Sequence, residues 1–274
     1  MFIFIALLFL CNNATISAMS DEAAALFGGM TAGAIEPFVG GQPLTTWKNY
    51  RQLGKPLAGM SPVEFWRGAP VASLCLGVNT GIQAGLNALF IPILNNALGS
   101  SLAAGAASAY IVAGPAELII AQQQIKKTAA IATMVSVYQN AGLRALWRGC
   151  NWVAGREALF TAGYICFAPH CAAYFKKRGM AELPASILGG ICGGIVAMIA
   201  SHPFDTIKTR LAADVPDNRM QGYTYRTGLQ VIRSQPLGTL FNGCVPRVLN
   251  GTFAITWFAL FAPFMQSKVT AYKG

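Results

Sequence analysis

The feature that most limits this chain is a pair of short markers that recurs three times in one order. The first marker is a proline closing an apolar, Gly/Ala-rich run and opening a polar stretch. It reads Pro43-Leu44-Thr45-Thr46-Trp47-Lys48, then Pro115-Ala116-Glu117-Leu118-Ile119-Ile120, then Pro203-Phe204-Asp205-Thr206-Ile207-Lys208. The second is an aromatic, a basic or polar residue and a glycine: Trp66-Arg67-Gly68, Trp147-Arg148-Gly149, Phe241-Asn242-Gly243. Each glycine opens another apolar run. A unit repeated in phase is one supersecondary element that needs its neighbours to bury its apolar face. The pattern predicts three copies of helix, proline, polar connection and helix.

Composition says what solvent those helices face. The 274 residues are 54% hydrophobic and 11% charged, where an ordinary soluble domain carries about 25% charged residues. Six membrane-crossing helices would use roughly 120–150 residues, which leaves room for connections. The net charge of +10 falls at the ends of apolar stretches, which argues for membrane orientation and against nucleic acid. Seven cysteines without a CxxC pair, and two histidines, argue against a zinc site or a disulfide framework. No HExxH, GxSxG or P-loop motif is present, so an enzyme is not expected, and no cofactor is implied.

The two markers resemble those of the mitochondrial carrier family, whose first signature is Pro-x-acid-x-x-base and whose second ends in aromatic-base-Gly. The resemblance covers residues 20–274. It implies an all-α membrane protein, six transmembrane helices from three tandem two-helix repeats around a pseudo-threefold axis. Repeats are expected at 20–98, 99–180 and 181–274, behind an N-terminal extension over 1–19 in which Met19 is a candidate start. The chain departs from the family in places. No repeat has the acid-Gly opening of the second signature. The first connection is short, so its amphipathic helix is expected to be truncated, with candidates in the other two near 129–140 and 223–234.

Proline removes a backbone donor and clashes with the preceding turn. Pro43, Pro115 and Pro203 are therefore expected to kink the three odd helices and draw their ends into a ring. The resemblance pairs Glu117 with Lys208 and Asp205 with Lys48 across that ring. The third pair would be Thr45 with Ile120, and neither is charged. Losing both partners leaves no unpaired charge, as losing one would. Gln52 and Gln124, nine residues after their prolines, are read as braces. On the opposite side the family's ion-pair motif is replaced by a repeated Phe-x-Pro, at Phe90, Phe167 and Phe261, with no acid.

Ionisable residues inside membrane helices mark function by default. Here they are Glu36, Arg156, Glu157 and Arg247. By the resemblance, substrate contacts lie seven residues after each marker glycine, at Cys75, Arg156 with Glu157, and Asn250. Cys75, Asn79, Gln83 and Asn87 recur every four residues, which places them on one helix face. Within the family an Arg followed by an acid goes with amino-acid substrates, since a guanidinium forks onto a carboxylate and an acid holds an ammonium group. Helix–helix hydrogen bonding by the amides, and structural pairing of Arg156 with Glu157, remain open. Glu36 is a candidate cation partner or a partner for Arg247 or Arg156.

Lys and Arg cluster in the Pro-to-Gly connections, which the positive-inside rule places in the matrix, with both termini toward the intermembrane space. The sequence thus predicts a monomeric carrier of the mitochondrial inner membrane, with anionic lipid at its matrix-side helix ends. Its expected load is a small anionic or zwitterionic metabolite, an amino acid or small carboxylate, moved by alternating access and exchange. The alternative is a non-transporting carrier-fold receptor, scaffold or insertion factor.

Overall fold

The computed structural model describes residues 21–271 except 217, 219 and 221. The extension over 1–19 with its candidate start lies outside the described residues, as do the basic residues Arg219 and Lys273. Among the described residues all regular structure is helical.

The first repeat contains α1 (Asp21–Glu36), which runs through a π turn (Pro37–Gly41) into α2 (Gln42–Gln52), then the single turn α3 (Pro62–Phe65) and α4 (Ala69–Leu94). The second contains α5 (Ala97–Ser108), a π turn (Ala109–Ala113), α6 (Gly114–Lys126), α7 (Ala130–Ala141), α8 (Cys150–Ala162), a π turn (Gly163–Phe167) and α9 (Ala168–Lys177). The third contains α10 (Glu182–Ala213), α11 (Gly228–Arg233) and α12 (Cys244–Ala271). Joined through their π turns, these make six long helical rods. Consecutive rods pack side by side, and α12 returns to pack on α1, so the ring closes.

The marker glycines have a common backbone reason. Gly68, Gly149 and Gly243 have φ of 94°, 80° and 81°, the left-handed region where a side chain is strained. Each therefore turns the connection sharply into the next helix. Asn96 starts α5 in another way, its side-chain oxygen accepting from the N–H groups of Leu98 (2.9 Å) and Gly99 (3.0 Å), a standard N-cap.

The kink prolines behave unequally. Pro43 and Pro115 each follow a π turn, whereas Pro203 sits inside α10 with no such turn. A π turn bonds five residues back rather than four, so its proline orphans the carbonyl five residues earlier. Those carbonyls are Phe38 and Tyr110, and each accepts an indole N–H from its own repeat's marker tryptophan: Trp66 to Phe38 at 3.3 Å and Trp147 to Tyr110 at 2.9 Å. The third marker has Phe241, which has no N–H to give. There Arg247 Nε reaches the Met198 carbonyl at 3.4 Å, one residue before Ile199, whose carbonyl a proline in an unbroken α-helix leaves free.

The connections differ as well. α7 occupies 130–141, the first connection has only α3, and α11 is confined to 228–233, shorter than the expected 223–234. The cause of the shortening is Asp214. Its carboxylate accepts from the N–H groups of Thr224 (2.9 Å) and Tyr225 (2.8 Å) and pairs with Arg148 (2.7 Å). That fixes 224–225 as loop, and Thr227 caps the short helix.

Among the described residues four helical segments are long and apolar enough to cross a membrane: Pro62–Leu94, Ala97–Lys126, Leu143–Lys177 and Glu182–Ala213. Their outer faces show large apolar side chains such as Leu74, Leu89, Ile93, Ile111 and Val196, while Gln42, Gln52, Gln122, Thr46 and His202 are fully buried. This inside-out polarity is what a lipid environment selects, since backbone and side-chain polar groups there must be satisfied internally.

Candidate functional site

The ring encloses a cavity of about 630 Å³. It runs from Lys48, Glu117 and Lys208 at the proline-marked end to Ala173, Lys176 and Ser186 at the other.

The proline-marked end is closed by an ion network. The prolines set its register: the side chains two and five positions later turn into the ring. Lys48 on α2 meets Asp205 on α10 at 2.8 Å, and Lys208 on α10 pairs with Glu117 on α6. Asp205 is the hub. Fully buried, it also meets Arg247 at 3.0 Å, Lys208 at 3.4 Å and Arg156 at 3.6 Å. Four cations around one carboxylate are stable only because other acids share them, here Glu117 and Glu157.

The seam without a charged pair is held by neutral hydrogen bonds. Gln124 donates to Thr46 (3.0 Å) and accepts from Asn49 (2.6 Å), while Tyr50 donates to the Gln124 carbonyl (3.1 Å). Thr45 accepts from Asn250 at 3.2 Å. Ile120 lines the cavity beside it. Gln52 donates to Asp205 at 2.7 Å and lies next to the Lys48 contact, so the two glutamines bridge different seams. Asn49 and Tyr50 were not singled out in the sequence. Their signal, two polar residues inside the expected helix between Lys48 and Gln52, is weak without the seam in view.

The residues expected at the substrate level join this network instead of standing apart from it. Arg156 contacts Glu117 at 2.5 Å and also pairs with its chain neighbour Glu157. Adjacent helical residues point apart, but the long guanidinium swings back far enough to reach both acids. The other Glu157 oxygen accepts from Asn79 (3.2 Å) and Gln83 (2.6 Å) of α4. Gln83 in turn accepts from Tyr164 (2.8 Å) and donates to Ser108 (3.0 Å). The α4 amides thus serve as helix–helix bonds and as an acid's ligands at once. Cys75 and Asn250 line the cavity. Arg247 donates to Ser201 at 2.7 Å besides meeting Asp205. Tyr164, Ser108 and Ser201 complete the cluster and carried no marker in the sequence.

Glu36 behaves differently from the alternative weighed for it. Arg156 and Arg247 are both engaged elsewhere, and no basic group among the described residues forms an ion pair with Glu36. It is 4% exposed and lines the cavity.

Comparison with known proteins finds partial likenesses. Residues 180–270 match the family model described as mitochondrial carrier protein. The chain is 26% identical over 185 residues to mitochondrial uncoupling protein 4C of Drosophila melanogaster, covering 61% of this chain and 52% of that protein. It is 30% identical over 127 residues to the mitochondrial glycine transporter of Xenopus laevis, covering 44% and 41%. It is 27% identical over 161 residues to mitochondrial 2-oxodicarboxylate carrier 1 of Saccharomyces cerevisiae, covering 56% and 51%. The chain spans about half the length of the curated relatives it matches.

Proposed function

We propose that this chain, a divergent relative of the mitochondrial carriers, is a membrane transporter that moves a small anionic or zwitterionic metabolite by alternating access. In this reading all six rods cross the mitochondrial inner membrane, with the Pro-to-Gly connections in the matrix and the termini toward the intermembrane space. The load is an amino acid or small carboxylate, and exchange for a counter-substrate is the mode. The carrier acts as a monomer, with anionic lipid at its matrix-side helix ends.

One observation carries the reading: a 630 Å³ cavity ends on an ion network that includes its own substrate-level arginine. The volume falls within the range of small-molecule sites. Arg156 lies where an entering carboxylate would meet it, and there it holds Glu117, the acid that also latches Lys208. A carboxylate on Arg156 competes with Glu117. Loading the site thereby weakens the latch, and an empty carrier stays closed. Binding energy is then spent on the state change, as differential affinity for two conformations requires. The glycine and oxodicarboxylate transport named for two relatives agrees with a carboxylate-bearing load.

The rival reading, a carrier-fold scaffold, has one observation in its favour: the first connection has no counterpart of α7. A thermal-shift screen in mild detergent separates the two, followed by uptake into proteoliposomes. The expected result is a raised melting temperature with one solute class, uptake of that class, and loss of both in Arg156→Gln with Arg156→Lys partly retained. A well-folded protein that responds to no amino acid, carboxylate or nucleotide would move the assignment to the scaffold.

A further inference from the structure

We propose that Glu36 is the cation-accepting half of the transport site, and that the load is a zwitterion whose ammonium group lies on Glu36 and whose carboxylate lies on Arg156. The proposal rests on the transport reading above.

The argument begins with the charges that line the cavity. Each basic group has an acidic partner: Lys48 and Arg247 on Asp205, Lys208 on Glu117, Arg156 on Glu117 and Glu157, and Lys176 on Glu182. Among the described residues Glu36 has no ion pair and no hydrogen bond to its carboxylate. It is nonetheless 96% buried, since 4% of its surface is exposed. A carboxylate withdrawn from water without a partner is costly, so the site has an unmet demand for a positive charge or a donor.

The surroundings leave the carboxylate one direction to meet that demand. Behind it the α1–α12 seam is shut: Trp257 donates its indole N–H to the Ala32 carbonyl at 2.9 Å, and Phe253 lies against Gly40 and stacks on Trp257. Within the π turn the carboxylate folds over Gly41, and a Cβ there would overlap its oxygens. The turn has room for this side chain only because position 41 is glycine. The open side is the cavity.

The identity of the missing cation follows from the remaining charges. In the gate network Lys48, Arg156, Lys208 and Arg247 face Glu117, Glu157 and Asp205, so the network holds one net positive charge. Glu36 holds the compensating negative charge, more than 4.0 Å from each of those cations. The cavity is a fixed dipole. A simple anion satisfies one end and leaves Glu36 bare, whereas a zwitterion satisfies both and keeps the total neutral. A metal ion wants several oxygen ligands, and no cluster of three metal-ligating side chains occurs among the described residues.

The test compares amine-bearing acids with their amine-free counterparts: glycine with acetate, 3-aminopropanoate with propanoate, and 4-aminobutanoate with butanoate. Uptake is measured in proteoliposomes of wild type and Glu36→Gln, a near-isosteric change that removes a buried charge. The expected result is a preference of at least tenfold for the amine-bearing member of one pair in wild type, falling to about one in Glu36→Gln. A preference that survives in Glu36→Gln, or a wild type that takes the amine-free acids equally well, overturns the assignment. If nothing moves, the transport reading fails, and Glu36 is then judged by binding. Methylammonium chloride raising the melting temperature of wild type but not of Glu36→Gln, against a sodium chloride control, supports the cation site; equal responses overturn it.

Discussion

Trp147 donates its indole N–H to the backbone carbonyl of Tyr110 at 2.9 Å, and Tyr110 lies five residues before Pro115. A marker residue of the connection thereby repairs the hydrogen-bond gap that its own repeat's proline opens. Trp147→Phe keeps the ring and removes the donor. It should lower stability by about 1 kcal/mol, read as a lower melting temperature in detergent. Phe241→Trp should give no matching gain, because α10 has no π turn and the carbonyl that Pro203 leaves free is Ile199, one residue off the matching position.

Among the described residues Asp205 is the most heavily shared charge. Asp205→Asn leaves Lys48, Arg247 and Lys208 crowded without their common acid, and should cost about 3–5 kcal/mol. Lys48→Met should cost much less, since Asp205 keeps Arg247 at 3.0 Å. Chemical or thermal unfolding of the two variants checks the order, and a larger loss for Lys48→Met would contradict the hub.

The neutral seam can be recharged. Thr45→Glu with Ile120→Lys would supply the missing pair across the cavity end, where both residues line the wall. A double-mutant cycle should give a favourable coupling of about 0.5–3 kcal/mol, with each single variant destabilised. In the transport reading the double variant should also move solute more slowly, because three latches must open instead of two.

The left-handed glycines invite a simpler test. Gly149→Ala forces φ of 80° on a residue with a Cβ, and that Cβ would meet the Leu211 side chain at 3.4 Å. A loss of roughly 1 kcal/mol or more is expected, visible as a drop in melting temperature. An unchanged value would mean that the turn can relax.

Much of this arrangement is readable from residue order. The prolines supply a reference point, and counting two and five residues onward reaches Glu117, Asp205, Lys48 and Lys208, which the structure brings into contact. The α4 amides at four-residue spacing share a face for the same periodic reason. What the sequence withholds is reach and register. Arg156 and Arg247 span the ring to Glu117 and Asp205 on flexible stems, so no spacing rule announces their partners. A π turn adds one residue to a helix without changing its composition, which hides the different treatment of Pro203. The length of α11 depends on Asp214 catching two backbone N–H groups ten and eleven residues downstream, a purely tertiary event.

Both ion pairs of the closed end terminate on α10: Asp205 holds Lys48 of the first repeat, and Lys208 holds Glu117 of the second. The first and second repeats are joined without α10, by the Gln124 cluster of neutral bonds, by Asn79 and Gln83 on Glu157 and by Lys127 on Glu64 at 2.6 Å. Threefold construction has therefore given a twofold-plus-one machine. A displacement of the third repeat alone would sever both electrostatic fastenings, while the other two could travel as a single jamb against which one leaf swings.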